Sequence, residues 1–369
     1  MVNMPSNSAP WPQVAPKNIL VRLPNWLGDA VMATPILRDL RQKFETATIT
    51  AMCQSNVKPL LEQDPHIDEI VAFQRPSGWV HQAHRTTIIE PLQLGKYDLG
   101  ILLTNSFSSA WWFWRGKVKN RLGYAANLRS WLLNKAVSFP IDKEKQHLVI
   151  TYKMLLEPLG IPVSNTPPQL YLIEEEMQAA RIILAEFGIT DRHIVVGINP
   201  GAAYGSAKCW LPERFKELTL KLIEHPDVRV VFFGDSTGAS LVNEICFGMP
   251  EEVINLAGKT RLRELMALIK SCSAFLTNDS GPMHIAAAFG TPLVALFGST
   301  SDVKTGPYSY KGKVIHKHTA CSPCYKRICP IDFRCMTGIS VEEVYAALQG
   351  LIRPKDKLKT GKNGISMYG

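Results

Sequence analysis

Three loops in the sequence carry residues that can bind a phosphate or move a proton, and the sharpest spans Thr277–His284. Pro282 suits the first position of a helix, and Ser280 or Gly281 can cap that helix. The N–H groups at a helix start attract anions, and small side chains let a diphosphate approach closely. An ordinary capped helix, in which Asp279 bonds only to backbone, is an equally weighted alternative.

A second loop follows the apolar segment His193–Ile198 and begins Asn199-Pro200-Gly201. Lys208 lies shortly downstream. A glycine turn at the end of a strand suits a phosphate, and a flexible ammonium can meet the phosphate charge. We therefore predict that Asn199, Gly201 and Lys208 bind the phosphates of a ligand, with a plain turn and an exposed lysine as the alternative.

The third loop, Asn25–Asp29, lies in the N-terminal half of the chain. Asp29 is expected at the start of a helix, where the positive end of the helix dipole keeps a carboxylate ionised. Such a carboxylate can accept the proton of a hydroxyl group while the hydroxyl oxygen forms a new bond. A helix cap with no catalytic role is the alternative.

Candidate metal ligands are few. Eight cysteines are too few for a disulfide scaffold in 369 residues. Four of them cluster and could hold zinc tetrahedrally, although the spacings after the CxxC pair match no recognised zinc ribbon; they are Cys321, Cys324, Cys329 and Cys335. Structural zinc, a redox pair and reduced loop thiols all stay open.

Four histidines show no ligand spacing and are expected at the surface or in positions where their hydrogen bonds are satisfied: His81, His84, His316 and His318.

Apolar runs predict the strands that end at these loops. They are Asn18–Val21, Thr48–Met52, Asp98–Leu103, His193–Ile198, Val228–Phe233, Ala274–Asn278 and Leu293–Phe297. Apolar residues at helical spacing predict intervening helices, including a single one from Ala30 to Phe44 and another over Pro212–His225. Strands that alternate with helices favour doubly wound parallel sheets, in which ligands bind beyond the carboxyl ends of the strands.

The length of the chain favours two domains. Four prolines between Pro158 and Pro168 mark a boundary. We predict a flexible arm over residues 1–16, a domain over 17–165 that presents the second substrate, a domain over 166–345 that binds a nucleotide diphosphate and a basic tail over 346–369.

The composition, with 46% hydrophobic and 20% charged residues, is that of a globular protein rather than a disordered one. The net charge of +9 indicates anionic partners. No nucleic-acid motif accompanies that charge, so phosphorylated substrates or lipid are favoured over nucleic acid.

Neither a signal peptide nor a membrane-spanning segment is predicted, so we expect a soluble cytoplasmic protein. A peripheral position at the inner face of the inner membrane is left open.

Together the three loops resemble the ADP-heptose-dependent heptosyltransferases of lipopolysaccharide core assembly, glycosyltransferase family 9, and the heptosyltransferase II branch most closely. The resemblance spans nearly the whole chain and is carried by Leu23–Thr34, Asn199–Trp210, Asn255–Thr260 and Thr277–Gly298. It implies a GT-B fold, in which two Rossmann-like doubly wound domains face an interdomain cleft. It also implies an inverting transfer of heptose from ADP-heptose.

The resemblance assigns roles to single residues. Asp29 matches the general base of the family, and Lys208 matches the lysine that contacts the donor phosphates. The donor-binding loop of the family is matched by Asp279, Ser280, Gly281 and His284. Because Lys208 and the helix start can meet the charge on the departing ADP, no metal or other cofactor is expected to be required for catalysis.

The implied acceptor is heptosyl-Kdo-lipid A, which is anionic and membrane-embedded, so transient contact with the cytoplasmic membrane face is expected. Candidate acceptor contacts are Asn25, Arg121 and Arg129. Further basic residues of the same region follow the aromatic stretch Trp111–Trp114 and are Arg115, Lys117 and Lys119. The tryptophans are expected to pack in a core, and a solvated face is the alternative for the basic residues.

Other functions stay open at this point. The first is a transferase of the same fold with a different donor or acceptor, such as heptosyltransferase I. A nucleotide-sugar epimerase and a non-enzymatic, zinc-bearing nucleotide-binding protein are the remaining alternatives.

Overall fold

The structure is a computed structural model that describes residues 11–74, 85–142 and 144–352. The chain divides into two compact units. The first holds the described residues up to Tyr171 together with Val303–Ser309, and the second holds Leu172–Asp302 and the described residues from Tyr310 onward. His81, His84, most of the predicted arm and most of the predicted basic tail lie outside the described residues.

The first unit contains a six-stranded sheet in which every pairing is parallel, with the order β3-β2-β1-β4-β5-β6. Its strands are β1 (Asn18–Arg22), β2 (Thr48–Gln54), β3 (Glu69–Phe73), β4 (Leu99–Leu102), β5 (Asn120–Tyr124) and β6 (Lys135–Val137). Its α-helices are α1 (Leu27–Ala33), α2 (Pro35–Lys43), α3 (Lys58–Leu61), α4 (Glu90–Leu94), α5 (Phe107–Arg115) and α6 (Leu148–Met154). Shorter helical turns cover Arg85–Ile89, Ser130–Leu132 and Glu157–Leu159.

The second unit repeats this plan with the order β12-β11-β10-β7-β8-β9, again wholly parallel. Its strands are β7 (Ile194–Asn199), β8 (Val228–Phe232), β9 (Val253–Asn255), β10 (Ala274–Asn278), β11 (Leu293–Phe297) and β12 (Gly312–His316). The helices that follow α6 in the chain are α7 (Glu174–Glu186), α8 (Pro212–Ile223), α9 (Ala239–Cys246), α10 (Leu262–Ser271), α11 (Gly281–Phe289), α12 (Asp302–Thr305), α13 (Arg334–Thr337) and α14 (Val341–Gln349). A single helical turn covers Ser206–Lys208.

Burial explains why these segments form central strands. All five residues of β10 and all five of β11 are buried, as expected for parallel strands that are covered on both faces. In the first unit, Trp112 is buried in the core and Trp111 is partly buried against it, which confirms the predicted core packing for these two tryptophans. Trp114 is 45% exposed, so the prediction is wrong for that residue.

The predicted helix from Ala30 to Phe44 is two helices. The break falls at Thr34, whose backbone N–H and hydroxyl group both donate to the Val31 carbonyl. Pro35 begins α2 and has no N–H to continue the hydrogen-bond ladder of α1.

The first unit extends past the predicted boundary at residue 165, and hydrogen bonds explain why. The Asp39 carboxylate accepts from the hydroxyl groups of Ser164 and Thr166 and so fixes the proline-rich segment to this unit. The segment Val303–Ser309 also belongs to the first unit, where the Gly306 carbonyl lies 2.9 Å from the His147 Nε2 atom. This return of the chain was not predicted.

The predicted tail begins too early, because α14 continues through Gln349 and buries Leu348 in the core. Within the described residues, no helix combines the length and apolarity needed to cross a bilayer.

Candidate active site

The helix α11 begins where the sequence predicts a diphosphate-binding loop. Ser280 is its N-cap residue, and the Ser280 side chain makes no hydrogen bond to the first turn. Gly281 is the first helical residue and Pro282 is the second, so the helix begins one residue earlier than predicted. His284 lies within this helix and is buried. The first turn of α11 therefore offers backbone N–H groups that no Ser280 cap occupies.

Side chains at the ends of β7 and β10 join the two predicted phosphate loops. The Asn199 amide donates to the Gly201 carbonyl over 2.9 Å and to the Ser280 hydroxyl over 3.3 Å. Asn278 donates to the Pro200 carbonyl over 2.6 Å. β7 and β10 are adjacent parallel strands, so their carboxyl ends meet at one edge of the sheet. The loops after β7 and β10 therefore form one surface of the second unit.

A charged pair lies on this surface. The Lys208 Nζ atom is 2.5 Å from the Asp279 Oδ2 atom, and the Thr300 hydroxyl donates to the same oxygen over 2.6 Å. Asp279 is buried and thus does more than bond to backbone. The ion pair with Asp279 thus holds the Lys208 ammonium group in place on this surface. Thr300 follows β11, which ends at Phe297. It was not identified from the sequence, although its place after a strand is the same signal that identified Asp279.

The loop that carries Lys208 is fixed by its neighbours. Gly205 has a φ of 153°, and a Cβ atom there would lie 2.3 Å from the Arg327 carbonyl oxygen. The Tyr204 hydroxyl donates to the Tyr325 carbonyl over 2.6 Å, and the Lys208 ammonium lies 4.8 Å from the centroid of the Tyr204 ring. The segment from Cys321 to Cys335, called the cysteine-rich segment below, thus contacts this loop and fixes its position.

Gly201 differs from Gly205. A Cβ atom at Gly201 would have no heavy atom within 4 Å, and its φ is not in the left-handed region. Neither protein packing nor backbone conformation therefore requires glycine here. Space beside this backbone is what a closely approaching phosphate needs.

Asp29 lies in the first turn of α1, in the first unit. The N-cap of this helix is Trp26, which makes no side-chain cap, so Asp29 is not the cap that the alternative prediction required. Its carboxylate is half-buried and lies near Tyr152. Burial, and secondarily the Asp29 charge, raise the pKa of the Tyr152 hydroxyl well above its usual value. Asp29 therefore has a neutral phenol as its neighbour at the positive end of a helix.

Arg22, at the end of β1, holds the loop that leads to Asp29. Its guanidinium group is buried and donates to the Leu23 carbonyl and to the Asn25 side-chain oxygen. Burial lowers the pKa of Arg22 to about 10, against a smaller opposing effect of Cys53. At neutral pH the side chain remains charged and engages Asn25, which is half-buried. Arg22 was not identified from the sequence.

Two of the predicted acceptor contacts are structural. Arg129 is 0% exposed and donates to the carbonyl oxygens of Tyr124 and Thr104. Arg121 donates to the carbonyl oxygens of Leu132 and Val118. Backbone carbonyls thus occupy both guanidinium groups in this structure, and the contact of Arg121 and Arg129 with an anionic acceptor stays a prediction. A sequence alone does not show which arginines are enclosed by the turns that follow them.

Arg115, Lys117 and Lys119 are exposed, as is an aromatic patch that consists of Phe107, Trp114 and Trp131. The Trp131 ring lies 6.1 Å from Phe107 and 6.5 Å from Trp114, centroid to centroid, and is 68% exposed. Arg115 lies 6.0 Å from the Trp114 ring. The first unit therefore presents aromatic rings and cationic groups on one surface.

The four clustered cysteines line one cavity of the second unit together with Ala207 and Ser299. Cys335 is buried and Cys321 is exposed. Burial raises the pKa of the Cys335 thiol, and its neighbours Cys321 and Cys329 raise it further. The predicted alternatives of zinc, a redox pair and reduced thiols all stay predictions.

Comparisons with known proteins are consistent with this geometry. The family profile described as glycosyltransferase family 9 (heptosyltransferase) matches residues 85–333. The chain is 33% identical over 309 residues to lipopolysaccharide heptosyltransferase 2 of Salmonella typhimurium, covering 80% of this chain and 87% of that protein. It is 27% identical over 340 residues to lipooligosaccharide heptosyltransferase 2 of Campylobacter jejuni, covering 91% and 98%.

Solved structures show the same fold. ADP-heptose lipopolysaccharide heptosyltransferase II of Escherichia coli is similar with a TM-score of 0.75 and 30% identity, covering 90% of this chain and 98% of that one. A family 9 glycosyltransferase from Veillonella parvula has a TM-score of 0.80 and 26% identity, covering 91% and 97%. The two parallel sheets are thus a pair of Rossmann-like domains of the GT-B class, as predicted.

Proposed function

Because the chain belongs to glycosyltransferase family 9, the heptosyltransferase family, we propose that it transfers heptose from ADP-heptose to the heptosyl-Kdo-lipid A inner core of lipopolysaccharide. The observation that carries this proposal is the junction of the loops after β7 and β10. Lys208 and the start of α11 lie there on one surface.

We place the donor diphosphate on this surface. Departure of ADP leaves negative charge on the phosphate oxygens, and the Lys208 ammonium and the N–H groups of α11 can meet it. Asn199 and Asp279 keep the two loops together, and Gly201 leaves room for the diphosphate. Three other residues of α11 or its cap belong to the proposed donor site: Ser280, Gly281 and His284.

We propose Asp29 as the general base. Its carboxylate takes the proton of the acceptor hydroxyl while the hydroxyl oxygen forms a bond to the anomeric carbon of the heptose. The bond from that carbon to the phosphate oxygen breaks, and its electron pair leaves with ADP. Attack opposite the leaving group inverts the anomeric centre. Arg22 supports this role by fixing Asn25 in the loop before α1.

Transfer then needs no divalent cation, because protein groups meet the charge of the leaving group. Enzyme treated with a chelator should keep its transfer rate at room temperature. A loss of rate that Mg²⁺ restores would place a metal at the diphosphate.

The anionic acceptor is embedded in a bilayer, and we propose that the aromatic patch contacts the membrane. Tryptophan rings favour the interface between lipid and water, and the nearby Arg115 and Lys117 can meet anionic headgroups. Full-length protein should float with vesicles that contain phosphatidylglycerol, and Trp114→Ala with Trp131→Ala should reduce that fraction. Phe247→Ala, which removes an exposed apolar residue of the second unit, is the control. Equal flotation of all proteins would remove the patch from the proposal.

Mass spectrometry of the reaction products tests the function itself. Incubation with ADP-heptose and heptosyl-Kdo-lipid A should yield the acceptor plus one heptose, and Kdo-lipid A without heptose should react much more slowly. The reverse preference would indicate a heptosyltransferase I activity. Conversion of the nucleotide sugar without an acceptor would indicate an epimerase.

A further inference from the structure

Two histidines and an aspartate, none of which is part of the proposed donor or acceptor site, meet near the end of β12. Asp302, His316 and His318 each offer one ligand atom, and these atoms all lie within 4.8 Å of one another. In the part of the chain that the structure describes, no other group of three potential ligand residues reaches this spacing, the four cysteines included. The sequence shows no ligand spacing at these histidines, because Asp302 approaches them only in the folded chain.

The hydrogen bonds around His316 determine where its protons lie. The Ser322 hydroxyl donates its single hydrogen to the Gly298 carbonyl, which can only accept. The same hydroxyl oxygen lies 2.8 Å from the His316 Nε2 atom and must therefore accept a hydrogen from it. The His316 Nε2 atom is thus protonated.

The opposite ring nitrogen faces an acceptor. The His316 Nδ1 atom lies 2.9 Å from the Asp302 Oδ1 atom. With Nε2 protonated, a neutral His316 presents the Nδ1 lone pair to a carboxylate oxygen. Two lone pairs at this distance require a positive charge between them, which is either a proton or a metal ion.

His318 favours the metal ion. A proton shared by His316 and Asp302 needs no third group, yet the His318 Nε2 atom lies 3.9 Å from the Asp302 Oδ2 atom. The rings of the two histidines are 4.0 Å apart, centroid to centroid. His316 is buried with a side chain 2% exposed, whereas His318 is 67% exposed, so an ion can enter from solvent.

We propose that Asp302, His316 and His318 bind a divalent transition metal ion. Two imidazoles and one carboxylate are a ligand set for Zn²⁺, Fe²⁺, Co²⁺ or Ni²⁺ rather than for Mg²⁺ or Ca²⁺. Ser322 is the outer partner that fixes the protonated nitrogen of His316 and leaves the other nitrogen for the metal.

The ion would stabilise the segment that supports the donor surface. Asp302 lies two residues after Thr300, whose hydroxyl group bonds to Asp279. Ser322 lies in the cysteine-rich segment, whose Tyr325 carbonyl accepts from Tyr204 in the Lys208 loop. Metal binding therefore joins two supports of the proposed donor site, although the ion itself contacts neither donor nor acceptor.

Co²⁺ titration of full-length, chelator-treated protein tests the proposal, with absorption spectroscopy and calorimetry as readouts. The unaltered protein should bind Co²⁺ and show visible d–d absorption, and binding should raise its thermal unfolding midpoint. His318→Ala and Asp302→Asn should each lose this binding. Ser322→Ala should weaken it about 10- to 100-fold. His225→Ala, which removes an exposed histidine elsewhere in the second unit, is the matched control and should bind normally.

The cysteines could also bind Co²⁺, and the spectrum separates the two sites. The difference between the unaltered protein and His318→Ala should lack the sulfur-to-cobalt charge-transfer band of thiolate ligands. Unchanged Co²⁺ affinity in His318→Ala, or a thiolate band in that difference, would overturn the proposal. Absence of Co²⁺ binding by the unaltered protein would also overturn it and leave a proton between His316 and Asp302.

Discussion

At the scale of single residues, the proposed chemistry depends on one carboxylate and one ammonium group in different environments. Asp29 is half-buried at a helix start, beside a phenol that burial keeps protonated. Lys208 is held against Asp279, which also accepts from Thr300. The first residue is assigned to the acceptor hydroxyl and the second to the donor phosphates, so their substitution should affect different measurements.

We expect Asp29→Asn to lower the rate of heptose transfer by at least about 100-fold, because an amide cannot take the acceptor proton. Its dissociation constant for ADP should stay within about twofold of the unaltered value, since its role is not in binding the nucleotide. Steady-state transfer rates and calorimetric ADP titrations measure the two effects. Asp142→Asn, at an exposed position of the same unit, is the control. Undiminished transfer by the Asp29 variant would remove the assignment of the base.

Lys208→Ala should weaken ADP binding by about 10- to 100-fold, as expected for the loss of a charged hydrogen bond to phosphate. Turnover should also fall, because the charge on the leaving group is met less well. Lys216→Ala, in α8, serves as the control in the same titration. If ADP bound equally well to both variants, the phosphate contact of Lys208 would have to be abandoned.

At the scale of elements, the ends of helices decide how the loops are positioned. Gly290 ends α11 with a φ of 70°, and a Cβ atom there would have no heavy atom within 4 Å. Its requirement for glycine is therefore one of backbone conformation alone.

We expect Gly290→Ala to lower the free energy of unfolding by about 1 kcal/mol, because alanine disfavours the left-handed conformation. Gly201→Ala should leave stability nearly unchanged, since neither space nor φ demands glycine there. Thermal unfolding of both variants measures the difference. Equal destabilisation by the two substitutions would contradict this account of Gly290.

His147 joins α6 to the returning segment Val303–Ser309. Its Nδ1 atom accepts from the Val149 N–H, so its Nε2 atom donates to the Gly306 carbonyl. Burial lowers the pKa of His147, against a smaller opposing effect of Gly306. Protonation of Nδ1 would abolish the helix cap.

The folded protein therefore binds this proton less readily than the unfolded chain, in which a histidine titrates near pH 6.5. Stability should fall as the pH drops through about 6.5 toward the lower pKa of the folded state. His147→Gln, which keeps one donor and one acceptor, should lose less stability between about pH 7.5 and about pH 5.5. Thermal unfolding at both pH values measures this, with His225→Gln as control. Parallel pH profiles for the unaltered protein and His147→Gln would show that another group is responsible.

At the scale of the whole molecule, the sequence predicts the doubly wound plan because the central strands are long and apolar. The edge strands β3, β6, β9 and β12 and the inner strand β5 were missed, since each is short or carries polar or charged residues and lacks that pattern. The break between α1 and α2 was also missed, although Pro35 marks it. The apolar residues keep helical spacing on both sides of Pro35, and this spacing predicted one continuous helix.

The candidate donor site was predicted where a strand end coincides with small residues, as at Gly201 and Ser280. Contacts made over long sequence separations were not predictable, as shown by Thr300 with Asp279 and by His316 with Asp302. The burial of Arg129 was not predictable for the same reason, because only the folded chain encloses its guanidinium group. Local patterns thus identified the loops, and the fold determined which side chains reach them.

A crystal structure of the protein with ADP tests the central claim most directly. We predict that the β-phosphate lies within hydrogen-bonding distance of the Lys208 ammonium and of backbone N–H groups in the first turn of α11, with the Asp279 carboxylate still beside Lys208. A diphosphate bound elsewhere in the second unit, without contact to either loop, would contradict the account.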